Sequence, residues 1–247
     1  MGKKTNYSEC NLCPPKNLKE HPFYGLTLDK EQTYLRDCIY DPEKKIVFSN
    51  SKAGTGKTLV TLATAALMVQ YGLYDRIVWI YFPAEEHVHG YLPGDLESKS
   101  QPYMTPLYDA MLKLGINPNT ALANGMLGEK YGGWIYFQPD TFLRGVNLSR
   151  CVVVADEFQN TNIANAKRLL TRIHDDSKVV VIGHAGQQDT DCESGFLPYM
   201  EWFRDDPRTA ICPLTTNHRG WVAQHADELS VRDSVCNACV DRSLEMA

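Results

Sequence analysis

Eight consecutive residues, Ser51-Lys52-Ala53-Gly54-Thr55-Gly56-Lys57-Thr58, combine a short glycine-rich loop with a lysine and a threonine. These residue types suit a phosphate cradle. Gly54 and Gly56 allow backbone N–H groups to turn toward a polyphosphate without interference from a Cβ, so the run from Ala53 through Thr55 to Thr58 is the candidate nucleotide-binding segment. Lys57 would reach the β- and γ-phosphates of ATP, and the Thr58 hydroxyl would hold Mg2+. A second pair, Asp156-Glu157, directly follows the apolar run Cys151-Val152-Val153-Val154-Ala155. Asp156 is placed to hold the same Mg2+ through water, and Glu157 to orient or deprotonate the attacking water. Ser51 stands where the loop pattern usually begins with glycine; if that position needs a positive φ, serine is strained and the loop reshaped.

Both centres need elements to position them. The apolar run Ile46-Val47-Phe48 leads into the loop as a strand, and an alanine- and leucine-rich stretch over 58–71 leads out as a helix whose N-terminal dipole faces the anion. Further strands are predicted at 76–82, 134–137, 151–155, 178–182 and 211–214, with helices at 27–39 (capped by Thr27), 102–114, 162–173 and 221–231. A short helix is expected within 138–147, ending at Gly145. Unbroken hydrophobic runs read as parallel strands buried on both faces. The sum is an α/β chain, a single P-loop domain with a mainly parallel sheet and helices on both faces, whose chemistry sits at the carboxyl ends of the strands. Gln32, on the first helix, has two open readings: a reader of adenine through its paired donor and acceptor, or an exposed polar residue. His87 and His89 read as loop histidines rather than metal ligands.

The chain has 247 residues, 43% of them apolar, enough for one good core and short for two domains. A net charge of -5 excludes a generally basic nucleic-acid coat. No apolar stretch approaches the roughly 18 residues of a membrane span, and no hydrophobic run follows the N-terminal lysines, so a soluble, cytoplasmic protein is expected. The expected organisation is an N-terminal arm over 1–25, an ATPase domain over 26–231 and a tail over 232–247. Of eight cysteines, four form two Cys-x-x-Cys pairs, Cys10 with Cys13 and Cys236 with Cys239, one near each end. They are open to two readings: a zinc clasp joining the ends through four thiolates, or redox pairs and unpaired thiols. Cys38, Cys151, Cys192 and Cys212 read as core or incidental.

Beyond the loop, several stretches carry a family resemblance: Tyr91-Leu92-Pro93-Gly94-Asp95-Leu96, Pro106-Leu107-Tyr108-Asp109-Ala110, Phe142-Leu143-Arg144-Gly145, Asp156-Glu157-Phe158-Gln159-Asn160-Thr161 and Leu170-Thr171-Arg172-Ile173. Over roughly 25–230 the chain resembles the PhoH-like ATPases, whose single RecA-like domain is related to the nucleotide-binding domain of superfamily 1 helicases. The resemblance implies Mg-dependent ATP hydrolysis coupled to RNA or single-stranded DNA. It also assigns candidate catalytic roles to Gln187, in the place of the helicase-like third motif, and to Arg219, within Leu214-Thr215-Thr216-Asn217-His218-Arg219, as a γ-phosphate arginine. His184 replaces the acid usual in that third motif, and Phe82 the arginine usual before Pro83. One motor domain alone cannot translocate, so a homo-oligomeric ring is implied. The alternative is a nucleotide-gated binding or assembly protein with little or no hydrolysis.

Overall fold

The computed structural model describes residues 13–82, 96–123, 132–143, 145–187 and 193–228, those at 96–102 and 226–228 in backbone only. Six strands, β1 (Ile46–Asn50), β2 (Arg76–Tyr81), β3 (Ile135–Pro139), β4 (Cys151–Asp156), β5 (Lys178–Gly183) and β6 (Thr209–Ile211), form one sheet in the order β3-β2-β4-β5-β1-β6. Every pairing is parallel, so all carboxyl ends share one edge. The register sets Asn50 opposite Gly183 and Tyr81 opposite Asp156. The ends of β1, β5 and β4 therefore lie side by side.

Side chains alternate between the faces of a strand, and the apolar runs therefore fill two cores at once. On one face Val47, Ile77, Trp79, Val152, Val154 and Val180 pack beneath α1 (Lys30–Tyr40), α2 (Lys57–Gln70), α3 (Leu96–Lys113) and α4 (Pro118–Ala121). On the other, Phe48, Val78, Ile80, Val153 and Val181 pack against α5 (Ile163–Leu170) and α6 (Phe196–Phe203). A last helix, α7 (Trp221–Glu228), follows β6. This is the α/β domain that the strand and helix alternation predicts.

Several boundaries differ, each for a local reason. Helix α1 starts at Lys30 rather than at Thr27, because Asp29 caps it: its carboxylate accepts from Gln32 N at 2.8 Å, and Gln32 Oε1 accepts from Asp29 N at 3.2 Å. Strand β6 ends at Ile211 and not at 214; the Leu214 N–H turns to a side chain near β1 instead. Helix α5 stops at Leu170, three residues early, and α3 begins at Leu96, ahead of the predicted start. The helix expected within 138–147 is a single 3-10 turn, Asp140–Leu143. Helix α6 was not anticipated; its Phe196 and Met200 fill the second core.

The N-terminal arm is also less separate than its polar composition suggests. Leu18 and Phe23 are fully buried in the first core, and the Tyr40 hydroxyl donates to Pro15 O at 2.8 Å, so packing begins ahead of residue 26. Lys178, the first residue of β5, is buried as well. Its ammonium donates to the carbonyls of Asp41 and Lys44 just beyond α1, and burial pushes its amine down to about 8. Among the described residues, no helix is long and apolar enough to cross a membrane.

Candidate functional site

Strand β1 runs directly into the glycine-rich loop, and α2 leaves it at Lys57 with Gly56 as its N-terminal cap. Gly54 and Gly56 have φ of 81° and 83°, a region that only glycine enters freely. Close approach adds a second requirement. A Cβ on Gly56 would lie 2.7 Å from Gln32 Nε2, and one on Gly54 only 2.4 Å from Asn217 Oδ1 and 2.7 Å from Arg219 Cγ.

Those neighbours grip the loop from both sides. Gln32 Nε2 donates to Thr55 O at 2.9 Å, His218 N to Gly54 O at 2.9 Å, and Thr55 Oγ1 to Lys52 O at 3.0 Å. The segment 214–219 is itself fastened to α1: Thr215 donates through N and Oγ1 to the Glu31 carboxylate, at 2.6 Å each, and the His218 ring meets Asp29 Oδ2 at 2.9 Å. Ser51 is not strained, since its φ is not positive. Instead its buried hydroxyl accepts from Leu214 N at 2.8 Å and bonds Ser49 Oγ at 2.8 Å, a role glycine cannot fill.

At the end of β4 the Asp156 carboxylate is buried. Its Oδ2 accepts from the Trp79 indole N–H at 3.2 Å, and its Oδ1 from Glu157 N at 2.9 Å. Burial first, and then the Glu157 carboxylate, push its pKa up to about 7, against the pull of the nearby Lys57 ammonium. Glu157 occupies the left-handed region at φ 53°, ψ 40°, a conformation that costs a non-glycine residue about 1–2 kcal/mol. Its Oε2 accepts from Gln159 Nε2 at 2.5 Å. Gln159 Oε1 in turn accepts from His184 N at 3.0 Å, beyond the end of β5.

Cavities open on either side of the loop. One, of about 430 Å³, is lined by Leu26, Leu28, Gln32, Gly54, Gly56, Lys57, Thr58, Leu59, Asp109 and Arg219. The other, of about 490 Å³, is bounded by Asn50, Lys52, His184, Asn217 and Gln224. Lys57, Thr58, the loop glycines and Arg219 thus share one hollow, with Asp156 close enough to Lys57 to feel its charge. Thr58 and Asp156 offer the hydroxyl and carboxylate oxygens that suit Mg2+, and the bare cradle at Gly54 and Gly56 suits phosphate, so the residues present fit both groups.

Gln32 is buried, which removes the exposed reading; its amide is engaged at both ends, by Asp29 N and by Thr55 O. Gln187 is exposed and meets the site through its backbone carbonyl, 3.4 Å from Gln159 Nε2. The His184 ring has its Nδ1 buried without a hydrogen-bond partner. Cys10, Cys236 and Cys239 lie outside the described residues, as do His87, His89, Cys192 and the Leu92-Pro93-Gly94-Asp95 stretch. Cys13 is a free, exposed thiol, and among the described residues no group of three or more His, Cys, Asp or Glu is arranged to hold a metal, so zinc has no support there. Cys38, Cys151 and Cys212 are buried, as core residues should be. Sequence reasoning missed the roles of Gln159, Trp79, Asn217 and the Ser51 hydroxyl. Only Gln159 left a signal, as a polar residue inside the Asp156–Thr161 motif.

Two outcomes follow from this geometry. Ser51→Ala leaves the buried Leu214 N–H unpaired and should cost about 1–3 kcal/mol in denaturant unfolding. The Asp156 carboxyl has its folded pKa raised from 3.8 to about 7. In ion-free protein its contribution to stability is therefore complete below pH 3.8 and lost as pH rises through 7. A Mg2+ ion held by Asp156 would select the ionised form, so its binding would release a proton below about pH 7 and weaken about tenfold per pH unit below that. Calorimetry in buffers of different ionisation enthalpy measures this, and Asp156→Asn should abolish the proton release.

The family model described as PhoH-like protein matches residues 27–225. Protein PhoH2 of Bacillus subtilis is 30% identical over 206 residues, covering 81% of this chain and 46% of the relative. A PhoH-like protein of Mycobacterium tuberculosis is 38% identical over 175 residues, covering 69% of this chain and 48% of the relative. The chain thus spans about half the length of the curated relatives it matches. Among solved structures, the HK97 bacteriophage large terminase aligns over 75% of this chain and 39% of its own, with a TM-score of 0.48 and 12% identity. With the loop after β1, the acidic pair after β4 and a family match spanning most of the domain, the chain belongs to the PhoH-like protein family, as a P-loop NTPase domain.

Proposed function

We propose that this domain binds Mg-ATP in the loop after β1 and hydrolyses its γ-phosphate. The observation that carries the reading is the placement of Lys57 and Glu157 close enough for their charges to act on Asp156 at the sheet's carboxyl edge, beside a loop that turns at Gly54 and Gly56. Backbone N–H groups of the loop and the α2 N-terminus would bind the phosphates, with Lys57 as the mobile countercharge. Thr58 and Asp156 would hold Mg2+, which would supply positive charge to offset that of the phosphates. Glu157, its Oε2 already fixed by Gln159, has Oε1 left to take a proton from water. Arg219, lying across Gly54, is the candidate to meet charge that develops on the γ-phosphate. Gln187 sits on the loop that reaches Glu157 through Gln159. The apolar walls of Leu26, Leu28 and Leu59 favour a base on the Gln32 side.

Coupling to RNA or single-stranded DNA rests on the family resemblance, assembly into a ring on the need of one motor domain for a second, and a cytoplasmic location on the sequence reading alone. ATP turnover of purified protein, with and without a panel of single-stranded oligonucleotides, tests the hydrolysis and the coupling, and sedimentation tests the assembly. Lys57→Ala should abolish nucleotide binding. Glu157→Gln should keep it while lowering kcat about 10²- to 10⁴-fold, the range of a positioned general base. Arg219→Ala should reduce kcat more than affinity, because it serves the transition state. Tight ATP binding with no turnover in the native protein would instead establish a nucleotide-gated binding protein.

A further inference from the structure

We propose that Gln159 is a positioning residue that fixes the Glu157 carboxylate and ties it to the loop after β5, so that the two loops respond together. Its catalytic consequence rests on the hydrolysis reading above; the mechanical link rests on the hydrogen bonds alone. Gln159 is 1% exposed, and every side of its amide is used. Nε2 donates to Glu157 Oε2 at 2.5 Å and to Gln187 O at 3.4 Å, while Oε1 accepts from His184 N at 3.0 Å. The partners fix the orientation of the amide, since the carboxylate needs a donor and the His184 N–H needs an acceptor.

The surroundings are shaped to admit it. A Cβ on Gly183 would lie 2.5 Å from Gln159 Oε1, so the last residue of β5 must be bare for the amide to enter. Asn50, the residue before the phosphate loop, accepts from Ala185 N at 3.0 Å. A continuous path of hydrogen bonds therefore runs from the entrance of the phosphate loop, through residues 183–187, to the carboxylate of Glu157. Glu157 itself has an αL backbone, beyond the last residue of β4. A charge-assisted bond to one oxygen sets the direction of the other. Misplacement of a reacting group by about 1 Å can cost on the order of 10²-fold in rate.

A glutamine that merely satisfies buried backbone groups would affect stability and nothing else. Gln159→Met keeps length and packing while removing every hydrogen bond. Gln159→Glu keeps an acceptor for His184 N but sets a carboxylate against Glu157. Both variants, checked for folding by thermal melting, should lose about 10- to 100-fold in kcat with KM for ATP changed less than about threefold. In a Glu157→Gln background, Gln159→Met should change the residual turnover less than about twofold, because the positioned group is already gone. Amide hydrogen exchange gives a readout that needs no turnover. The His184 amide should exchange faster in Gln159→Met and stay protected in Gln159→Glu. Addition of the non-hydrolysable analogue AMP-PNP with Mg2+ should alter exchange at 157–161 and 183–187 together in the native protein, and uncouple them in Gln159→Met. Equal slowing in the Glu157→Gln background, or unaltered His184 exchange in Gln159→Met, would overturn the proposal. Should Gln159→Met unfold, Gln159→Glu decides by the KM and kcat split and by loss of the paired response to AMP-PNP. Absence of turnover in the native protein would sink the hydrolysis reading alone, and the exchange comparison would still decide the link.

Discussion

A loop that turns its N–H groups toward an anion leaves its carbonyls facing the protein, and each needs a donor. In this chain the donors come from two places far apart in sequence. Gln32 of α1 serves Thr55 O, and His218 serves Gly54 O, while Thr55 closes on Lys52 from within. Neither flank stands alone, since Glu31 and Asp29 at the start of α1 hold Thr215 and His218 in place. The phosphate cradle is thus the inner ring of a larger hydrogen-bonded bracket. The sheet order serves it by setting β1 between β5 and β6.

The acidic side of the site shows the opposite compromise. Asp156 is desolvated and crowded by Glu157, with only an indole N–H, a backbone N–H and the Lys57 charge in compensation. Glu157 adds backbone strain at the point where β4 stops. A carboxylate held in so poor an environment would gain from any cation that entered. The strands that frame this strained corner, β4 and β5, are buried along their whole length.

Much of this was legible in sequence because it depends on local chemistry. The Gly54-Thr55-Gly56-Lys57-Thr58 run and the Val152–Ala155 strand ending in Asp156 identify themselves by residue type and spacing, and the six apolar runs predict the six strands of the sheet. What stayed hidden depends on tertiary placement. Nothing near Trp79 says that its indole meets Asp156 across a strand pair. Ser51 read as a steric defect because its partner, Leu214 N, is 163 residues away. Gln32 could be read two ways because its neighbour Thr55 is on another element. Asp29, rather than Thr27, was available as the helix cap from the Asp-x-x-Gln spacing.

The bracket also bears on how the chain reaches its native state. Its closing contacts join residues 163 to 189 positions apart, Ser51 with Leu214 and Asp29 with His218 among them. Such distant pairings carry the largest loop-closure entropy. During vectorial synthesis the sheet's central strands, β1, β2, β4 and β5, can assemble before residue 214 emerges, but Gly54 and Ser51 then lack their final partners. The phosphate loop therefore lacks its outer bracket until residues 214–218 dock, so its final shape depends on pairings that span most of the chain.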